Sequence, residues 1–253
     1  MTERAEDLQA EALRAFTLLG ALRPHPIQPD WRGALIVACG LGRGGSALSI
    51  SANIGGAGCL AIDERPDVGR AALRSGACDF VVNTVDEALR VLKNEIRQRR
   101  PVSVGLTLGS TEALEELVDR GVLPELFTVF RRDADALVPA TATWDRVMGT
   151  FGALGTIIVD FDGSFPSLAG VIDAAALFDS FTAERGHHLE SFAFASAEEL
   201  RTFDARLLEL IPSTDMRHRW CASAPRFFHR ERPYRRVVFL TKEERERATG
   251  DLS

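Results

Sequence analysis

The chain has 253 residues, 45% of them apolar and 26% charged, with a formal net charge of -6. That length can bury the core of one large domain, or of one domain with an appendage. The acidic balance gives no global attraction to nucleic acid, and the only lysines, Lys93 and Lys242, leave little room for Schiff-base chemistry.

No window approaches the length of a membrane-spanning helix. The charged start Thr2-Glu3-Arg4-Ala5-Glu6-Asp7 lacks the apolar core of a secretion signal. Cys39, Cys59, Cys78 and Cys221 show no C-x-x-C spacing and read as buried reduced thiols. A cytoplasmic location without membrane contact is therefore expected.

In chain order, residues 4–22 carry a helical apolar stripe of Leu8, Ala12, Ala15, Phe16 and Leu19, and the proline-rich 24–30 is a linker. Strands are predicted near 34–39, 59–62, 80–83, 102–106 and 126–130. Helices near 45–55, 66–75, 84–98 and 110–120 alternate with them. Short apolar runs separated by helical patterns predict a parallel, doubly wound sheet. A helix near 134–150 and a strand at 156–159 extend it. Beyond 165 the pattern loosens into a helix near 166–184, a strand near 190–195, a helix near 196–210, a basic irregular stretch, and a strand near 236–240.

The most informative segment is Ala34-Leu35-Ile36-Val37-Ala38-Cys39 followed by Gly40-Leu41-Gly42-Arg43-Gly44-Gly45. Gly40, Gly42 and Gly45 fall in the G-x-G-x-x-G register between a predicted strand and a predicted helix. In a dinucleotide site the first glycine permits the tight turn, the second admits the pyrophosphate, and the third brings the helix close to the strand. The helix N-terminus then faces the phosphates. Asp63, the first acid after the predicted second strand, is the expected ribose ligand. A carboxylate there favours NAD over NADP, although Arg65 and Arg43 each offer a guanidinium fork that suits a phosphate. The plain alternative is a glycine-rich turn in a sheet protein that binds no nucleotide.

From Trp31 to about Thr128 the chain resembles the central Rossmann-like domain of urocanase. Cys39-Gly40-Leu41-Gly42-Arg43-Gly44-Gly45 is similar to that family's Ala-Gly-Leu-Gly-Gly-Met-Gly-Gly, one residue shorter. Arg74-Ser75-Gly76-Ala77-Cys78-Asp79 and Thr84-Val85-Asp86-Glu87-Ala88-Leu89 resemble its Arg-Thr-Gly-Tyr-x-Asp and Ser-Leu-Asp-Glu-Ala-Leu. Pro101-Val102-Ser103-Val104-Gly105-Leu106 resembles its fourth strand. Glu116-Leu117-Val118-Asp119-Arg120-Gly121-Val122-Leu123-Pro124-Glu125 resembles its Glu-Leu-Val-Arg-Arg-Gly-Val-x-Pro-Asp. The resemblance covers roughly two-fifths of the chain.

The resemblance implies a tightly held NAD whose nicotinamide ring serves as an electrophile. It carries the phosphate loop to Gly40, Leu41, Gly42, Arg43, Gly44 and Gly45, the ribose acid to Asp63, and the far half of the cofactor to Leu108, Gly109 and Ser110. Gly109 stands where the family has asparagine. The family's Thr-Asp-Gln-Thr-Ser-Ala-His-Asp falls on Thr128-Val129-Phe130-Arg131-Arg132-Asp133-Ala134-Asp135, where only the leading threonine remains. That departure argues against urocanate turnover. The fold class expected is α/β, with a doubly wound, mostly parallel Rossmann-like sheet, an N-terminal helix and a C-terminal α/β extension. The expected divisions are 1–30 (helix and linker), 31–164 (dinucleotide-binding domain) and 165–253 (an extension packing on the sheet or at an oligomer interface).

Three further constellations carry weaker signals. Arg131 and Arg132 leave a predicted strand end and suit a carboxylate or phosphate; the alternative is a solvated pair answered by Asp133 and Asp135. Asp160 and Asp162, in Val159-Asp160-Phe161-Asp162-Gly163, resemble the first motif of haloacid-dehalogenase-type phosphatases. Ser196 and Lys242 are candidate partners there, but no late acidic pair follows, and helix capping explains the aspartates equally. The arginine- and aromatic-rich 217–236 suits a self-association surface or ligand-facing loop better than nucleic acid. The reading is an NAD-binding protein, either a divergent urocanase-like lyase or hydratase or one that has lost urocanate turnover. A non-catalytic dinucleotide-sensing module is the alternative, and the phosphatase is a second. A small-molecule ligand, a homodimer and no metal site are expected.

Overall fold

The computed structural model describes residues 2–23, 30–130, 141–161, 163 and 170–250. The elements run α1 Thr2–Leu22, β1 Leu35–Cys39, α2 Arg43–Gly55, β2 Gly58–Ile62, α3 Pro66–Ser75, β3 Phe80–Val82, α4 Val85–Arg97, β4 Val102–Leu106, α5 Ser110–Asp119 and β5 Leu126–Val129. They continue with α6 Thr141–Ala153, β6 Ile157–Asp160, β7 Val171–Asp173, α7 Ala174–Arg185, β8 His188–Phe194, α8 Ala197–Leu210, α9 Met216–Phe228, β9 Tyr234–Leu240 and α10 Lys242–Thr249. Two compact units result, one of residues 31–176 and one built from residues 1–30 together with 177–253.

The 31–176 unit is a seven-stranded sheet in the order β3-β4-β2-β1-β5-β6-β7, and every pairing is parallel. This is the doubly wound α/β fold expected from the alternation of apolar runs and helical patterns. β1, β2, β4 and β5 are buried along their whole length, because helices cover both faces. Leu35, Val37, Leu60, Val104 and Phe127 point into one core with Leu89 and Leu92 of α4, Leu114 and Leu117 of α5, and Val147 and Phe151 of α6. α2 packs against β1, β2 and β4, and its run of small residues is almost wholly buried. α4 starts at Thr84, whose hydroxyl accepts from the Glu87 amide. Connections from β1 run to β2 on one side, while β5 lies on the other. The crevice above the carboxyl ends of β1 and β5 is thus the switch point where such sheets place ligands.

The second unit pairs β8 with β9 antiparallel, from His188 opposite Leu240 to Phe194 opposite Tyr234. α1, α8, α9 and α10 pack on this pair. Trp220 is fully buried, donates from Nε1 to the Val237 carbonyl at 2.9 Å, and lies beside Phe16 and Phe228. The basic stretch expected to be irregular is instead α9, capped by Asp215. Of the arginines in the 217–236 stretch, Arg217 of α9 and Arg235 and Arg236 of β9 are buried, whereas Arg226, Arg230 and Arg232 are exposed. Arg236 is held by both carboxylate oxygens of Asp204, and Arg217 by Asp215, Glu244 and the Phe239 carbonyl. The predicted helix near 166–184 is β7 followed by α7 over its described part. Among the described residues, no helix is long and apolar enough to cross a membrane.

Candidate functional site

The loop between β1 and α2 is built by its glycines, each with its own physical reason. Gly40 has φ +102° and turns the chain out of the sheet, with its amide donating to the Ile62 carbonyl at 2.7 Å. A Cβ on Gly45 would fall 1.9 Å from the Gly40 carbonyl oxygen, so only glycine lets α2 begin this close to the strand end. Gly44 is needed for a different neighbour: a Cβ there would meet the Phe130 ring at 2.5 Å. Gly42 is the N-cap of α2 and is half-buried, whereas Arg43 is exposed. Leu41 is buried beneath the loop, its side chain against Gly105 of β4.

Asp63 follows β2 directly, and its own amide donates to the Leu106 carbonyl. Its side chain is completely covered. Oδ2 accepts from the Leu41 amide at 3.0 Å and from Arg65 Nη2 at 2.9 Å; Oδ1 accepts from the Arg65 amide at 3.1 Å and from Nε at 2.9 Å. Burial pushes this carboxyl up, but the hydrogen bonds from Arg65 and from the two amides outweigh it and hold it below the ordinary carboxylate range. Asp63 therefore braces the glycine loop from below, and Arg65 lies across it with about a third of its own side chain exposed.

On the β4 side, Leu108 packs against the sheet core, Gly109 is the N-cap of α5, and Ser110 is buried. Gly109, Ser110 and Thr111 open onto a hollow of about 530 Å³ whose remaining wall is acidic: Glu64, Glu112, Glu115, Glu116 and Asp119. On the β5 side, Thr128 is buried and donates its hydroxyl to the Val159 carbonyl at 2.7 Å. Phe130 leaves the strand with its amide on the Cys39 carbonyl and its ring 5.7 Å from that of Phe161.

The sheet thus brings the glycine loop, Asp63 and the 108–110 turn to one edge. Arg131, Arg132 and Asp162 lie outside the described residues. Asp160 ends β6, half-buried, in register with Asp173 of β7, whose carboxylate accepts from the Ala175 and Ala176 amides at the start of α7. Ser196 and Lys242 belong to the other unit, where the Ser196 hydroxyl caps α8. Among the described residues, no three His, Cys, Asp or Glu side chains are gathered to hold a metal ion. The four thiols are buried and unbridged, and burial pushes Cys59 and Cys221 up to about 12.

Two residues of the site were not singled out for these roles from sequence. Phe130 reads as one more apolar strand residue, and nothing in its spacing announces contact with Gly44. Arg65 has a local signal, a cation two residues after the acid at a helix N-cap, where its amide and guanidinium both reach back to the carboxylate.

Tested as a cradle for a dinucleotide, the loop fits at Gly40, Gly42 and Gly45, where a turn, a half-exposed backbone and a close helix start coincide. The Asp63 carboxylate, covered and fully bonded, does not fit the direct ribose contact. Residues 15–133 match the family model for the urocanase Rossmann-like domain. The matched segment takes in the later part of α1 and everything from β1 to just past β5.

Proposed function

Starting from a chain that carries the urocanase Rossmann-like domain, we propose that residues 31–176 bind a nicotinamide adenine dinucleotide at the carboxyl edge of the sheet and do not hydrate urocanate. The observation that carries this reading is the loop at the switch point. Gly45 brings the start of α2 against the Gly40 carbonyl, and Gly42 leaves backbone open at the positive end of a thirteen-residue helix. Gly40, Gly42 and the first turn of α2 would hold the pyrophosphate, with Leu108, Gly109 and Ser110 beside the far half of the cofactor. When bound, the nicotinamide ring supplies an electrophilic carbon. The chain's own residues orient the dinucleotide through backbone amides. The loss of urocanate turnover is supported by the β5 end, where Thr128 is tied to β6 and Phe130 packs on the loop.

The test is to denature the purified protein, identify any released small molecule by mass and absorbance, and titrate stripped protein with the dinucleotide. Recovery of the dinucleotide, or saturable binding lost in Gly42→Val while the fold is retained, supports the reading. Protein that releases nothing and ignores added dinucleotide overturns it. Sedimentation with and without dinucleotide separates two forms of this proposal. Ligand-dependent dimerisation without turnover favours a sensing module, and turnover of another imidazole acrylate favours a divergent lyase. A cytoplasmic location is part of the same proposal.

A further inference from the structure

We infer that the outer edge of β8 pairs antiparallel with β8 of a second copy of this chain, joining two two-stranded sheets into a single four-stranded one. The β8–β9 sheet treats its two edges differently. On the β9 side the edge is sealed by side chains. The Val237 amide donates to Gln9 Oε1, its carbonyl accepts from Trp220 Nε1, and the Phe239 carbonyl accepts from Arg217.

Those bonds also fix what β8 presents. In an antiparallel pair, residues opposite one another either exchange both backbone bonds or point both groups outward. Val237 points outward, so its opposite residue Ser191 does too, and so do Leu189 opposite Phe239 and Ala193 opposite Arg235. Among the described residues, nothing bonds the outward amides and carbonyls of these three. Their side chains are uncharged and exposed, Leu189 at 36%. Proteins blunt a bare edge with proline, lysine or a bulge; β8 has none of them, and its register with β9 is unbroken. Glu190 lies on the other face, 3.4 Å from Arg245.

Charge selects a second copy as the occupant. The exposed Arg185 precedes β8, and the exposed Glu198 follows it. Antiparallel pairing with Ser191 opposite its own counterpart brings the arginine end of each strand to the glutamate end of the other, twice by symmetry. Parallel pairing would set like charge against like. The Arg185 guanidinium lies 3.7 Å over the Phe181 ring, which steadies it at that end. This edge lies outside residues 15–133, and the inference does not rest on the dinucleotide reading.

The experiment is sedimentation velocity of the full chain without dinucleotide, over a concentration series at low and high salt. A species of two protomers is expected to grow with concentration and to weaken as salt rises. Ser191→Pro removes the central amide from both strands at once and should abolish it. Arg185→Glu and Glu198→Arg should each weaken association about tenfold. An equimolar mixture of those two variants should restore it, because the reversed charges then face their opposites at both ends. A chain that stays single at every concentration overturns the inference and leaves the edge to an extended peptide of another protein. A dimer indifferent to Ser191→Pro and to both charge reversals overturns it as well. The mixture decides the matter even if Ser191→Pro fails to fold, since both charge variants lie on the surface.

Discussion

The two units bury charge in opposite ways. In the unit made of residues 1–30 and 177–253, Arg236 is wholly enclosed against Asp204, and the Gln9 side chain accepts from the Val237 amide beside it. In the sheet unit, Asp63 is equally enclosed, but its partner Arg65 reaches the surface. An ion pair closed on every side holds an interior together and has nothing left to recognise. A pair closed on one side keeps an oriented cation at the surface beside the strand end.

The sharpest break in that comparison is Arg236→Met, which leaves Asp204 without its guanidinium and is expected to cost about 3–5 kcal/mol in urea denaturation. Replacing Asp204 by leucine as well should recover much of the loss. At the sheet edge, Gly44→Ala drives a methyl into the Phe130 ring and is expected to cost about 1–3 kcal/mol. In a Phe130→Ala background the same substitution should cost far less, and a double-mutant cycle reads the coupling. Full additivity would show that the ring does not set the need for glycine. Arg65→Ala, by contrast, admits water to Asp63 and should cost about 1 kcal/mol or less. If it destabilises as much as Arg236→Met, the distinction between the two pairs fails.

A further effect lies in acid. Burial pushes Glu244 up, but the bonds from Arg217 and the Thr241 amide prevail and lower it from 4.5 to about 2. A depressed carboxyl contributes stability that is complete above its unfolded value and is lost as pH falls through the folded one. Stability should therefore decline between about 4.5 and about 2, and Glu244→Gln should flatten the slope over that window.

Much of the sheet was legible from sequence. β1, β2, β4 and β5 are continuous apolar runs because both faces are buried, and the glycine spacing marks the loop that follows β1. β7 was not legible: three residues, Val171-Ile172-Asp173, are too few and too exposed to carry a period. α9 was hidden for the opposite reason. Its buried face includes Arg217, and Pro225 lies within it, so neither apolar period nor composition declares a helix. The site divides in the same way. Glycines that answer backbone geometry stand out in a one-dimensional pattern, whereas Phe130 on Gly44 is a contact between distant segments. The Asp63–Arg65 pair is local, yet only the folded chain shows that the carboxylate has no oxygen left.

The interruption of one unit by the other sets an order on synthesis. Residues 31–176 can complete their sheet while the ribosome is still adding residues 177–253. The helix at Thr2–Leu22, translated ahead of the sheet unit, must wait for Tyr234–Leu240 before Gln9 can meet Val237. Its apolar stripe stays without that partner strand while the whole of residues 31–176 is being made, so a segment made before the sheet finds its place only after it.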